Sequence, residues 1–295
     1  MSTSPHVTPP VKTPSPVRDI PQEVLDSFID EISRLDREDE RQQTLQSCQF
    51  VSRSFRIRAR FHIWSHTKVN LIHDKKRSLM QLERLREAMD SSATLGQVAI
   101  GSLIQHLAIE IAPLTSYDTY LILKVAHDLV PILNHTVLYS PGLRSFCFSL
   151  SHYYPHWHFL GEPLRLSINM LSKSVTLENL SIRGVSSIPL SLIDGCKATH
   201  LELLQQGFSA DQFAEAIAPS QVGWDNSPPP LTHFCTDRFS WLSMGTLRPS
   251  MFSNLINLKL RGSVYSHGLE GIIWEDLGSL QTLAWDIDGT QIRLA

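Results

Sequence analysis

The sequence predicts an α/β protein in which a small all-α unit of three helices precedes a solenoid of strand-and-helix repeats. Two observations lead to this prediction. Residues 20–70 contain three short amphipathic helical patterns, and from about residue 100 onward a motif with apolar anchors in the order L-x-x-L-x-L recurs. Because the chain has 295 residues, 42% of them hydrophobic, it is long enough to form one small and one larger domain.

The N-terminal segment is rich in Pro, Ser and Thr and has few large apolar side chains. A segment of this composition buries too little apolar surface to offset the conformational entropy lost on ordering. Residues 1–18 are therefore predicted to form a disordered tail. The tail contains Ser-Pro and Thr-Pro dipeptides of the kind that proline-directed kinases accept. Phosphorylation is therefore the alternative to a plain disordered tail.

Three helices are predicted over residues 20–64. The first begins at Pro21, whose fixed φ suits a first helical turn, and Glu23 lies where the helix dipole favours an acidic side chain. Apolar residues at helical spacing then give each helix one apolar stripe. The stripes are Val24, Leu25, Phe28, Ile29 and Ile32; then Leu45, Cys48, Val51 and Phe55; then Ala59, Ile63 and Trp64.

The small size of this helical unit predicts a partner. A unit of about 50 residues buries only about 60% of its unfolded surface, so three short helices seldom fold without a neighbour, a metal or a disulfide. We therefore expect residues 19–71 to carry apolar surface that another protein or domain covers.

Three segments of the helical unit match a known pattern. They are Ile20-Pro21-x-Glu23-Val24, Leu45-x-Ser47-Cys48-x-x-Val51-Ser52-Arg53-Ser54-Phe55 and Ala59-Arg60-x-x-Ile63-Trp64. Residues 19–71 thereby resemble an F-box, most closely the fungal F-box-like type. Ile20, Ser52 and Phe55 stand where that family more often has Leu, Cys and Trp, and Gln49 and Phe50 replace a small residue and a Leu.

The resemblance implies that this unit docks on a Skp-family adaptor, which links F-box proteins to a cullin ubiquitin ligase. The alternative is a plain three-helix cap on the domain that follows. Carried over position by position, the docking residues are Ile20, Pro21, Val24, Ile29, Val51, Phe55 and Trp64.

Residues 72–99 are predicted to form a connecting helix. Leu79, Leu82, Leu85 and Met89 recur at helical spacing, so this stripe is expected to pack on the first repeat rather than on a membrane.

The larger domain, residues 100–295, is predicted from its repeats. Alternation after each anchor favours a half-buried strand, and segments such as LILKVAHDLVPILNH and DQFAEAIA between the motifs favour helices. The domain resembles the irregular leucine-rich repeats that often follow an F-box. The alternative is an ordinary α/β domain whose parallel strands share the L-x-x-L spacing. The fourth residues of the motifs, called the anchors here, are Leu107, Phe146, Leu180, Leu201, Phe234, Leu258 and Leu283.

The residues between the buried positions are predicted to project from the concave face of the sheet. Their mixed charge favours recognition of a protein surface over a single small anion, and the alternative is a solvated face without a ligand. The chain ends just after a predicted strand without a polar capping unit, so we expect a truncated repeat array. The target-binding residues predicted for this face are Arg183, His200, Glu202, His233, Asp237, Lys259 and Arg261.

Composition argues against several other partners. A net charge of −3 gives no general attraction to nucleic acid. The four cysteines lie far apart in sequence, which favours reduced thiols over a zinc site. No N-terminal signal-peptide pattern and no apolar run of about 18 residues occurs, so the predicted compartment is the cytoplasm, the nucleus or both, without membrane contact.

Signals of catalysis are incomplete. Asp286-Ile287-Asp288-Gly289-Thr290 matches the D-x-D-G-T opening of haloacid dehalogenase-like phosphatases, but the downstream Lys and carboxylates of that chemistry would lie past Ala295. His152, His156 and His158 favour an aromatic loop over a metal site, because Pro155 opposes a helix that would align them. No catalytic residue, metal or cofactor is predicted.

The sequence thus predicts a non-catalytic substrate receptor of an SCF-type ubiquitin ligase, which binds an adaptor through its helices and a target protein through its repeats. Such a receptor would act by holding the target near the ubiquitin-carrying enzyme. The alternative is a repeat scaffold for protein interactions whose helical cap has no ligase role.

Overall fold

The protein divides into two compact units, Met1–Ile63 and Trp64–Ala295, here called the helical unit and the sheet unit. The predicted tail, residues 1–18, lies outside the residues that the structure describes. The computed structural model describes residues 20–71, 75–94, 100–111, 119–139, 142–150, 156–189, 192, 196–204, 231–237, 252–261, 277–287 and 290–294.

The described residues form helices in both units and strands in the sheet unit. The α-helices are α1 Gln22–Ser33, α2 Glu38–Cys48, α3 Arg53–Ser65, α4 Lys75–Thr94, α5 Ile100–Leu103, α6 Thr119–Tyr139 and α7 Glu162–Ser172, with a 3-10 helix at Trp157–Leu160. The strands are β1 His66–Leu71, β2 His106–Ile111, β3 Ser145–Leu150, β4 Asn179–Arg183, β5 His200–Leu204, β6 His233–Thr236, β7 Asn257–Arg261, β8 Thr282–Ile287 and β9 Thr290–Leu294.

The helical unit has a small core of its own, to which α1, α2 and α3 all contribute. Phe55 and Ile63 of α3 are partly buried against this core. Pro21 is the residue immediately before α1, which confirms the predicted start of the first helix within one residue. The buried core residues are Ile29, Ile32, Leu45, Cys48 and Ala59.

The nine strands of the described residues form one sheet in which the order of the strands is their order along the chain. Strands β1 to β8 are parallel, and β9 pairs with β8 in the antiparallel direction. Helices follow β1, β2 and β3, and the second helical pattern, DQFAEAIA, lies outside the described residues. The prediction of an α/β protein is confirmed at the level of the fold class.

The anchors set the register of the sheet. Each is the second residue of its strand, and each is paired with the anchor of the next strand from β2 through β8. In β2 and β3 the burial alternates strictly, with the second, fourth and sixth residues buried. These residues pack in one core with the apolar sides of α4, α6 and α7, so the helices cover one face of the sheet.

The boundary between the two units falls earlier than the sequence predicted. His66–Leu71, which was assigned to the helical domain, forms β1 and pairs with β2 along its whole length. The predicted connecting segment, residues 72–99, contains α4, whose Leu82, Leu85 and Met89 are buried in the core of the sheet unit. The apolar stripe of this segment thus packs in the same core as β2 and β3, the contact that its spacing predicted.

Candidate functional site

The helical unit displays an exposed apolar set. Val24 and Phe28 are one helical turn apart on α1, and they are 55% and 56% exposed. Single exposed apolar side chains are ordinary, but seven of them among the described residues of three short helices offer apolar area that a partner could cover. The members of the exposed apolar set are Ile20, Val24, Phe28, Leu35, Phe50, Val51 and Ile57.

The seven predicted docking residues have different surroundings. Ile29 is fully buried in the core of the helical unit, and Phe55 packs against that core. Trp64 belongs to the sheet unit and packs against its core. These three side chains contribute to folding, whereas four are exposed and available to a partner: Ile20, Pro21, Val24 and Val51.

The predicted target-binding residues share one face of the sheet. Six of them are the first, third or fifth residues of β4 to β7, and Asp237 follows β6 at the next position of the same alternation. We call this face the polar sheet face; it consists of the first and third residues of β4 to β8 together with Arg183, Asp237, Arg261 and Asp286. The register that the anchors predicted therefore brings these side chains to one surface.

A charged network connects the strands of this face. The carboxylate oxygen Oε2 of Glu202 accepts hydrogen bonds from the Ser181 hydroxyl at 2.7 Å and from Arg183 Nε at 2.9 Å. Arg261 Nη1 lies 3.7 Å from the other oxygen of Glu202, and Arg261 Nε lies 3.9 Å from Asp286 Oδ2. Lys259 Nζ is also 3.9 Å from this Asp286 oxygen. These last three contacts exceed hydrogen-bond distance, so they are ion pairs without a direct hydrogen bond.

A second row, of histidine and asparagine side chains, lies at the start of the strands. The rings of His200 and His233 stack with their centroids 4.0 Å apart and their planes at 15°. Asn257 Nδ2 lies 2.7 Å from His233 Nε2. A depression of about 650 Å³ opens over this part of the polar sheet face, and its lining includes both histidines, Asn257 and Lys259.

Both histidines were predicted as site residues from the sequence, but their threonine partners were not. The hydroxyl oxygens of Thr199 and Thr232 each lie 2.9 Å from Nδ1 of the histidine that follows. The signal was the dipeptide Thr-His, which stands before the anchor in two successive motifs. A second stacked pair, His66 and His106 at 4.3 Å, was missed because β1 was not predicted.

The cysteines of the protein are free thiols. Cys147 and Cys235 are half-buried, and burial raises the pKa of the Cys235 thiol to about 11. Burial likewise raises the pKa of Cys196 to about 11. Thiols with so high a pKa are protonated at neutral pH and are therefore poor nucleophiles.

The described part of the chain does not complete either of the two remaining candidates as a metal or catalytic site. His156 stacks on His158 at 5.4 Å and its Nδ1 lies 3.0 Å from the Ser187 hydroxyl, while His152 falls outside the described residues. Asp286 faces Lys259 and Arg261, and Asp288 is not among the described residues. Within the described ranges, no three His, Cys, Asp or Glu side chains are grouped as metal ligands.

Comparison of the chain with models of protein families, with curated proteins and with solved structures finds no match. Among the helices of the described residues, none combines the length and the apolar character needed to cross a membrane. The class that the structure defines is a mixed α/β protein with a polar sheet face and a separate exposed apolar set.

Proposed function

We propose that this protein is a non-catalytic substrate receptor of an SCF-type ubiquitin ligase. The helical unit docks a Skp-family adaptor, and through it a cullin, while the polar sheet face binds a target protein in the cytoplasm or nucleus. The observation that carries the proposal is the exposed apolar set on a three-helix unit, in whose described part five apolar residues form the buried core. An adaptor would cover this apolar surface.

The order of the strands supports a repeat architecture for the larger part of the receptor. Strands that pair only with their predecessor and successor, and that run parallel from β1 to β8, are typical of solenoids. We propose an irregular leucine-rich-repeat solenoid, with the helical unit as an F-box-like domain. In such repeats the uncovered sheet face is a continuous surface for a partner.

The polar sheet face suits a protein target. Arg183, Lys259 and Arg261 alternate with Glu202 and Asp286, so the face presents both signs of charge within a few strands. Such a pattern selects a partner with the complementary order of charges and disfavours others by like-charge repulsion. The ligase chemistry would then follow from proximity, since a bound target is held at high effective concentration near the ubiquitin-carrying enzyme.

Capture of the adaptor tests this proposal. The full chain is co-expressed with a Skp-family adaptor, and the complex is compared with that of a Val24→Asp, Val51→Asp variant, because both side chains are more than half exposed and their replacement leaves the core intact. The matched control is Val175→Asp, which replaces an 85% exposed valine of the sheet unit. We expect a stable complex that the double variant loses and the control retains.

A repeat scaffold without a ligase role is the second candidate. It is favoured by the internal packing of Ile29, Phe55 and Trp64, since these three of the seven predicted docking side chains are used within the protein. Under this hypothesis the folded full chain captures no adaptor, and target binding through the polar sheet face persists. The same co-purification therefore separates the two candidates.

A further inference from the structure

The charges of the helical unit are segregated along the chain. Within residues 20–63 every acidic residue lies before Arg41, whereas four arginines follow it in α3. Arginines on the surface of a helix are ordinarily solvated or paired with carboxylates of the same chain. What α3 can bind therefore depends on which of its arginines are already paired.

The arginines of α3 differ in their surroundings. Arg58 donates to the carboxylate of Asp30 through Nε and Nη2, so its charge is neutralised within the unit. Arg56 Nε donates to the carbonyl oxygen of Gln49 at 3.1 Å, an acceptor without a net charge. Among the described residues, neither Arg53 nor Arg56 forms an ion pair with a carboxylate, and both are exposed. Two guanidinium groups are thus open to an anion.

The stability of α3 does not explain the position of these two arginines. Both lie in the first turn of the helix, where the helix dipole favours acidic side chains and disfavours cations. Residues that break a local rule without a gain inside the chain are expected at functional surfaces.

Exposed apolar side chains lie beside the two arginines. Phe50, in the turn before α3, is 86% exposed, and Ile57 of α3 is 61% exposed. Arg53, Arg56 and Ile57 are three or four residues apart and share one face of the helix. The contact with Gln49 holds Arg56 against the turn that contains Phe50. We call Phe50, Arg53, Arg56 and Ile57 the arginine face, and none of them is a predicted docking residue.

We propose that the arginine face is a docking surface for an acidic segment of a partner protein, in which carboxylates alternate with apolar side chains. A guanidinium pairs with a carboxylate through two parallel N–H···O bonds, and the two Nη groups of Arg56 remain for such a pair. Apolar side chains of the segment would cover Phe50 and Ile57. The inference goes beyond adaptor docking and does not depend on it.

The number of unpaired charges favours a protein segment over a larger anionic surface. Anionic membranes are recognised by clusters of about four to eight basic residues, and nucleic acids by a similar number of phosphate contacts. The arginine face has two arginines without a carboxylate partner among the described residues. An extended anionic surface would also meet the exposed Glu23 and Glu31 of the same small unit, whereas a narrow segment contacts the arginine face alone.

Binding of a defined peptide to the full chain tests this inference. The probe is a short fluorescein-labelled peptide in which pairs of Glu alternate with Leu, and its twin has Lys in place of Glu. Fluorescence anisotropy is measured at pH 7 and low salt, where exposed ion pairs are least screened. We expect saturable binding of the Glu peptide and not of its twin. The affinity should be at least about fivefold lower in Arg53→Gln, Arg56→Gln and also lower in Phe50→Ser.

A second double variant provides the matched control. Arg34→Gln, Arg37→Gln removes the same charge from the helical unit, but these exposed arginines pair with Glu31 and Glu40. This variant should bind the Glu peptide within about twofold of the wild type, since only the general charge of the unit changes.

Three results would overturn the inference: no saturable binding of the Glu peptide, an equal loss of affinity in the two double variants, or equal binding of the Lys peptide. Tighter binding to vesicles of phosphatidylcholine and phosphatidylserine, with the same dependence on Arg53 and Arg56, would instead assign the arginine face to a membrane. Adaptor capture is measured separately on the same variants. Failure of either proposal therefore leaves the other to be judged on its own result.

Discussion

Among the single residues of the helical unit, Asp30 makes the most extensive set of polar contacts. Arg58 donates to it through Nε at 2.7 Å and Nη2 at 2.8 Å, and His62 Nε2 lies 2.7 Å from the same carboxylate. The hydrogen bonds from Arg58 are the largest of the influences that hold the pKa of Asp30 well below its ordinary value. The Asp30–Arg58 pair thus joins α1 to α3.

The lowered pKa of Asp30 predicts acid sensitivity of the helical unit. Because the carboxyl takes up a proton more readily in the unfolded chain, its contribution is fully present above about pH 4–5 and declines as the pH falls toward its folded-state pKa. We expect Asp30→Asn to lose about 2 kcal/mol at pH 7, and the difference from wild type to shrink below pH 4. Amide hydrogen exchange of α1 and α3 at several pH values measures this loss of stability. Asp39→Asn, at an exposed carboxylate, should change neither the stability at pH 7 nor its dependence on pH.

Gly184 is required by the backbone after β4. Its φ is +72°, and a Cβ at this position would lie 1.8 Å from the carbonyl oxygen of Leu150. We expect Gly184→Ala to destabilise the sheet unit by more than about 2 kcal/mol, because the left-handed conformation alone costs an alanine about 1–2 kcal/mol and the clash adds to it. Gly278→Ala, where a Cβ meets nothing within 4 Å, should change the free energy of unfolding by less than about 0.5 kcal/mol in urea. Equal effects of the two substitutions would contradict this explanation.

At the scale of elements, α4 and α6 are joined by two ion pairs of different burial. Arg86 Nη1 lies 2.5 Å from Asp128 Oδ1, and the Asp128 side chain is only 12% exposed. Asp90 Oδ1 lies 3.0 Å from His135 Nε2, but its side chain is 55% exposed. Since solvent screens exposed pairs, only the first is expected to stabilise the helix pair appreciably.

Replacing the two carboxylates one at a time tests this difference. Asp128→Ala leaves Arg86 half-buried without its partner, so we expect a loss of about 2–3 kcal/mol in the free energy of unfolding. Asp90→Asn should cost less than about 1 kcal/mol. Chemical denaturation followed by tryptophan fluorescence measures both, and a larger effect of Asp90→Asn would refute the assignment.

The strands β2 to β8 could be predicted from sequence because every anchor is apolar and precedes an alternating segment. β1 was missed because Thr67 takes the anchor position, in register with Leu107, and bonds to the Trp64 carbonyl instead of filling the core. Hydrophobic pattern identifies a strand only where its buried positions are apolar.

The residues of the polar sheet face could also be predicted from the sequence, but the contacts among them could not. Register alone brought Arg183, Glu202, Lys259 and Arg261 to one face. The approach of Arg261 to Glu202, however, spans β6 and depends on the small Cys235 at the position between Glu202 and Lys259. The spacing of residues in the sequence does not show whether a side chain extends across an intervening strand. The shared face could therefore be predicted, but the contacts between its charged side chains could not.

At the scale of the whole sheet unit, the order of the strands determines how stability is shared. Among the described residues, each strand from β2 to β8 pairs with the strands before and after it in the chain, so these pairings join neighbouring segments of the sequence. In such an array stability is approximately the sum of the repeats and their nearest-neighbour contacts. A local defect should therefore weaken neighbouring strands far more than remote ones.

Hydrogen exchange of a core variant measures this directly. Phe148 of β3 is fully buried, so Phe148→Ala is expected to remove about 3–5 kcal/mol of local stability. Amides of β2, β3 and β4 should then exchange much faster than in the wild type, whereas those of β7 and β8 should change little, because the defect reaches them only through several intact pairings. If amide exchange becomes equally faster in β3 and β7, the sheet unit unfolds as a single cooperative unit instead. A partner bound at the polar sheet face would then stabilise every strand alike.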